Sequence, residues 1–198
     1  MGQRHDDIDR LGRRALLRAL AAGAFCVWPR AGARAMGEAP DRLPPGRSIH
    51  EGGPGLRVNG QPADAATLIR PGDDIETDAA ARAVFAVGQN AFLLRPDSRM
   101  TLADDGAALH LERGALLSVF GAGAMTLSTP VVSVGIRGTG LYLEAEPDRA
   151  YVCTCYGTTL LTALAAPDQR ETVTATHHSA RFVTRSGDRR IGPAPFRN

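Results

Sequence analysis

The chain has 198 residues, a formal net charge of +2 and only 5% aromatic residues. This length accommodates one domain with a single sizeable core; the near-balance of charge offers no electrostatic footprint for nucleic acid, and the scarce aromatics leave no stacking platform for bases or sugars. Every basic residue is arginine and none is lysine, the mark of a coding bias more than of a binding surface.

At the N-terminus Arg13-Arg14-Ala15-Leu16-Leu17-Arg18 leads into an apolar stretch over residues 19–28, followed by Pro29-Arg30-Ala31-Gly32-Ala33-Arg34-Ala35. A charged start, a short apolar run and a small-residue Ala-x-Ala site read as a secretory signal. The paired arginines resemble a bacterial twin-arginine signal, the route for proteins exported already folded. An apolar span of about ten residues is half of the roughly 20 that a membrane crossing needs. Cleavage is expected after Ala35, giving a periplasmic product with no stable membrane insertion. Cys26 follows the bulky Phe25, which does not suit a lipoprotein site. Residues 1–35 are thus read as signal, 36–45 as linker, 46–183 as a β domain and 184–198 as a flexible tail.

Within the domain, Leu56-Arg57-Val58 runs into Asn59-Gly60, a strong hairpin signal because both turn residues tolerate positive φ. Leu68-Ile69 precedes the turn Arg70-Pro71-Gly72-Asp73-Asp74, and Ile75-Glu76-Thr77 follows it. A helical turn is conceivable over residues 79–83. Strands at 82–87 and 91–94 flank Gly88-Gln89-Asn90. Further strands are expected at 100–102, 108–112 and 116–120, with Asp104-Asp105-Gly106 and Arg113-Gly114 as turns between them. After Gly121-Ala122-Gly123 come strands at 125–127, 131–134 and 141–144, the cysteine segment, and strands at 159–162 and 172–176. Short strands recurring about every ten residues predict an all-β, antiparallel sandwich, prism or barrel-like fold.

Several blocks resemble the FecR-like periplasmic domain family: Leu56-Arg57-Val58-Asn59-Gly60, Pro71-Gly72-Asp73, Glu112-Arg113-Gly114-Ala115-Leu116 and, most specifically, Thr129-Pro130-Val131-Val132-Ser133-Val134-Gly135-Ile136-Arg137-Gly138-Thr139-Gly140. The resemblance covers roughly residues 46–163. It implies an all-β module of the bacterial envelope, in a family whose regulators relay a signal from an outer-membrane receptor to a cytoplasmic sigma factor. Those regulators add a cytoplasmic anti-sigma segment, a membrane helix and a receptor-contact lobe, and this chain resembles instead a standalone, exported subgroup with a Cys-x-Cys-Tyr-Gly motif. The glycines of residues 135–140 do not form a phosphate cradle, since a strand and not a helix is expected after them.

The chemistry is expected in Tyr151-Val152-Cys153-Thr154-Cys155-Tyr156-Gly157 and in His177-His178. Residues two apart on a strand share a face, about 6.7 Å apart along the chain. A Cys153–Cys155 disulfide sits at the limit of its Cα geometry, whereas two thiolates can lean onto one ion at about 2.3 Å. In a regular strand His177 and His178 point to opposite faces; His177 then lies on the apolar side with Val173 and Ala175, and His178 needs a bulge or strand end to take part. Cys153, Cys155, His177 and His178 are therefore the candidate metal ligands, for zinc or copper first and iron or haem less strongly. Inert packing cysteines, a local or intermolecular disulfide, a thiol-disulfide redox protein and a protein-interaction module with an envelope partner stay open. Paired carboxylates at a suggestive spacing and a nucleophile motif are both missing, so no enzymatic activity is expected.

Overall fold

Alternation of apolar and polar residues broken by glycine, asparagine and aspartate yields strands throughout. The computed structural model describes residues 46–196; the expected signal and linker lie outside the described residues. Fifteen strands and no helix occur among the described residues. They are β1 (Ile49–Glu51), β2 (Leu56–Val58), β3 (Gln61–Pro62), β4 (Asp74–Thr77), β5 (Ala83–Val87), β6 (Asn90–Leu94), β7 (Arg99–Leu102), β8 (Ala108–Val119), β9 (Ala124–Ser128), β10 (Val132–Arg137), β11 (Gly140–Ala145), β12 (Arg149–Ala163), β13 (Arg170–Ala175), β14 (Ser179–Thr184) and β15 (Ile191–Pro193). The all-β expectation holds. The Asn59-Gly60 turn has φ of 52° and 74°, as its hairpin requires. Residues 79–83 form a turn without helix.

One sheet runs β1-β5-β6-β8-β11-β12-β14-β15 and the other β3-β2-β4-β7-β8-β9-β10-β12-β13, so β8 and β12 belong to both. Pairings β8-β9, β9-β10, β10-β12, β12-β11 and β11-β8 close a five-stranded barrel between them. Residues 108–112 and 116–120, expected as two strands about an Arg113-Gly114 turn, lie on one bent strand, and the cysteine segment likewise continues into residues 159–162. The reason is local. Gly114 and Gly157, with φ of +87° and +90°, bend their strands from one sheet into the other without reversing them.

Each bend is wedged by a fully buried hydroxyl residue on the connection that crosses between the sheets. Ser98, between β6 and β7, occupies the space a Cβ on Gly114 needs, and Thr139, between β10 and β11, does so at Gly157. The chemistry repeats as well. Ser98 Oγ donates to Pro96 O (3.1 Å) and Ala115 O (3.4 Å), and Thr139 Oγ1 to Arg137 O (3.2 Å) and Thr158 O (3.1 Å): in both joints the carbonyl two residues back and the one just after the glycine. The block Gly138-Thr139-Gly140 is therefore a structural joint, and Gly140 lacks a Cβ because the Tyr156 ring lies across it.

The outer faces of the two sheets differ. On the second sheet Asp74, Thr101, His110, Ser128, Ser133, Thr162 and Arg170 are successive cross-strand partners, a polar row suited to solvent. On the first, the corresponding row is Val84, Leu93, Leu117, Tyr142, Cys153 and Ala180. Its β12 end is covered by the C-terminal segment. Residues from 184 onward, expected as a tail outside the domain, carry β15, which pairs with β14 and buries Ile191 in the main core. One inward isoleucine among arginines and prolines is too short a pattern to read as a strand.

Candidate functional site

Alternation along β12 sends Ala150 and Val152 into the main core, while Tyr151, Cys153 and Cys155 point to the opposite side of the first sheet. There they form a second apolar cluster with Ala180, flanked by Leu117, Tyr142, Phe182 and Ala194. Both cysteines are free thiols, 1% and 7% exposed, so water reaches neither sulfur easily. Cys155 sits in a β-bulge: Leu141 pairs with Thr154 and Gly140 with Tyr156, leaving Cys155 as the extra residue. Two residues later the chain bends at Gly157, so the thiols lie at the end of the first sheet, beside the joint.

The histidines come from the crossing between β13 in the second sheet and β14 in the first. The strand ends at Ala175, so regular alternation does not reach His177 and His178. His178 adopts φ +24°, a left-handed conformation that non-glycine residues seldom hold, and its N–H donates to Cys155 O at 3.1 Å. The turn brings its Nδ1 to 3.7 Å from Cys153 Sγ. The donor atoms of Cys153, Cys155 and His178 all lie within 4.8 Å of one another. Both histidines are exposed, and His177 lies outside this group, the reverse of the order expected for the two. His50 and His110 also lie apart, the latter bonded to Ser128 Oγ at 2.9 Å on the polar face.

The two thiols are not equivalent. The Cys153 thiol is pulled below its ordinary range, first by its hydrogen bond with Cys155 and then by His178, against the opposing effect of burial. The Cys155 thiol is pushed up by that same bond, by burial and by the charge on Cys153. The two thiols thus titrate as a coupled pair, and a soft cation that binds them releases their protons. Burial pushes the Tyr142 phenol up to about 12, with help from its hydrogen bond to Glu144 Oε1 at 3.0 Å.

Tyr151 and three residues that sequence patterns did not single out, Tyr142, Ala194 and Phe196, complete the surroundings. Tyr142 is the cross-strand neighbour of Cys153. Tyr151 stacks edge-on between Tyr142 and Phe182, at 6.1 and 5.6 Å, and its hydroxyl donates to Pro195 O at 3.2 Å. Phe196 lies against the His178 ring, with centroids 4.4 Å apart. Ala194 N–H bonds to Ala180 O at 3.1 Å, which holds this C-terminal strap over the sulfurs. Phe196 lies 18 positions from His178 in the sequence, and nothing in its local pattern signals the contact.

By sequence, no known family and no curated protein matches the chain. Among solved structures, two crystal structures of a "putative anti-sigma factor" from Parabacteroides distasonis are similar to it. Each superposes with a TM-score of 0.52 at 11% identity over 61% of this chain. The match spans 58% of that protein's chain. At this identity the likeness shows a shared fold.

Proposed function

We propose that the protein is a non-enzymatic, periplasmic FecR-like module that binds a metal ion, or a ligand bearing one, through Cys153, Cys155 and His178, and serves envelope sensing or regulation. The observation that carries this reading is the convergence of two thiols and an imidazole within 4.8 Å, assembled from a bulged strand and a left-handed turn. Thiolate and imidazole together suit zinc or copper. Support for a regulatory role comes from the FecR-like blocks at residues 56–60 and 129–140 and from the fold shared with a protein described as a "putative anti-sigma factor". The twin-arginine pattern of residues 13–18 supports export.

Elemental analysis of the protein purified from a periplasmic extract tests this reading. Stoichiometric metal is expected in wild type and in His177→Ala, and its loss in Cys153→Ser and His178→Ala. Wild-type protein without metal, with both thiols freely alkylated, refutes it.

A second reading, a protein-interaction module, is favoured by the apolar row Val84-Leu93-Leu117-Tyr142 on the outer face of the first sheet. A photocrosslinker placed at Leu93 in the exporting cell should give a protein adduct that one at Ser133, on the polar face, does not; equal yields at the two positions remove this reading.

A further inference from the structure

We propose, resting on the metal-binding reading above, that the site holds zinc by three ligands of this chain and keeps its fourth coordination position open on the His178 side, where it takes a thiolate from outside the chain.

The donor set is the first reason. Among the described residues the group consists of Cys153, Cys155 and His178. An ion about 2.3 Å from a sulfur and about 2.0–2.1 Å from an imidazole nitrogen sets those two atoms about 3.6 Å apart at a tetrahedral angle, and Cys153 Sγ and His178 Nδ1 already stand 3.7 Å apart. The histidine is fixed at both ends, since its N–H bonds to Cys155 O at 3.1 Å. Zinc closed off from solvent takes four protein ligands; with three, it keeps one place for an exchangeable ligand. The Tyr151 hydroxyl reaches the Cys153 sulfur and donates to Pro195 O at 3.2 Å. A neutral phenol there orients the sulfur and leaves the fourth place unfilled.

Burial decides which side is open. Cys153 and Cys155 are enclosed by the apolar cluster on the first sheet, whereas His178 is exposed. An incoming ligand therefore approaches past the imidazole. Phe196 lies on that side with its ring centroid 4.4 Å from that of His178, yet it is itself 53% exposed and borders the approach without sealing it. The same lining indicates the class of ligand. An ion already bound to two thiolates favours a further soft donor, and sulfur gains from contact with an aromatic ring. On binding, the incoming thiol gives its proton to solvent, its sulfur bonds the ion, and a bound water leaves; no atom changes oxidation state.

The test uses the metal-free full chain under oxygen-free conditions, loaded with one equivalent of Zn(II) for X-ray absorption and, separately, with Co(II) for optical titration. The probes are free cysteine and a short extended peptide with one central cysteine. Two sulfurs per zinc are expected before either probe and three after it, with Co(II) bands that shift and saturate as thiol is added. Phe196→Ala, at an exposed position, should weaken thiol capture about two- to tenfold. Tighter capture of the peptide assigns the thiol to a protein chain, and equal or tighter capture of free cysteine assigns it to a small molecule. A sulfur count that stays at two, zinc that leaves the chain with the thiol, or a chain that retains copper alone overturns the open position and leaves the metal-binding reading standing. Failure of the wild-type chain to retain either zinc or copper overturns both.

Discussion

Substituting Gly157 by alanine should destabilise the domain far more than its single added methyl group implies. The residue holds φ +90°, where an L side chain costs about 1–2 kcal/mol. A Cβ built there stands 2.9 Å from Thr139 Oγ1, 3.1 Å from Gly138 O and 3.2 Å from Thr139 Cα. Two of those contacts are backbone, so no change of rotamer relieves them, and Thr139 is fully buried with its hydroxyl committed to two carbonyls. Overpacking of this kind adds about 1–3 kcal/mol. A total of about 2–5 kcal/mol follows, or a fall in Tm of about 4–20 °C for a domain of this size. Gly135→Ala is the internal control: its φ is not positive and its nearest neighbour is Leu160 Cβ at 3.8 Å, ordinary contact distance. Removing a glycine from a strand interior there should leave stability unchanged or raise it by about 0.5–1 kcal/mol. Thermal and urea unfolding followed by circular dichroism measure both variants. Equal midpoints for Gly157→Ala and Gly135→Ala refute the idea that a left-handed glycine wedged by Thr139 holds the bend of β12.

The remaining predictions concern the buried hydroxyl pair and the thiols. Thr154 Oγ1 and Thr159 Oγ1 are 2.8 Å apart and both buried on either side of that bend; Thr154→Val should cost about 1–3 kcal/mol by stranding its partner, and Thr154→Val/Thr159→Val less than the sum of the singles. A double-mutant cycle in urea checks it, and strict additivity counts against the pair. In the metal-free protein, the lowered Cys153 value means that its alkylation profile has a midpoint below that of the denatured chain, while Cys155 resists. Cys155→Ala should move the Cys153 midpoint up more than His178→Ala does, because the Cys155 hydrogen bond is the larger cause; mass spectrometry after iodoacetamide pulses reads this, and a profile unmoved by either variant contradicts it. The linkage has opposite signs at the two sites. Stabilisation from Cys153 is present above the unfolded thiol value and is lost as pH falls through the lowered folded one, whereas that from Cys155 is present below the unfolded value and is lost as pH rises toward the raised one. Stability of the metal-free protein should therefore fall on both sides of an intermediate pH, and a profile flat through neutral and alkaline pH argues against these opposite shifts.

Strand positions and the shared face of Tyr151, Cys153 and Cys155 were legible because side chains alternate with a period of two wherever pairing is regular. The same rule misassigned the histidines: β13 stops at Ala175, and beyond it the His178 φ of +24° sets the ring's direction in place of alternation. Gly114 and Gly157 show a related limit. A glycine between two apolar runs is compatible with a turn or with a bend, and the choice depends on which strands lie alongside.

By itself the sequence determined the strand content, the Asn59-Gly60 hairpin and the adjacency of two thiols on one strand face, since each follows from conformational preferences and alternation within a few residues. Tertiary structure decided that β8 and β12 run unbroken through both sheets, that Ser98 and Thr139 wedge the bends, that His178 and not His177 meets the sulfurs, and that Phe196 lies against the imidazole. These outcomes rest on contacts between segments far apart in the chain. Such contacts are set by packing and by the satisfaction of buried polar groups across the whole domain, and no local pattern encodes them.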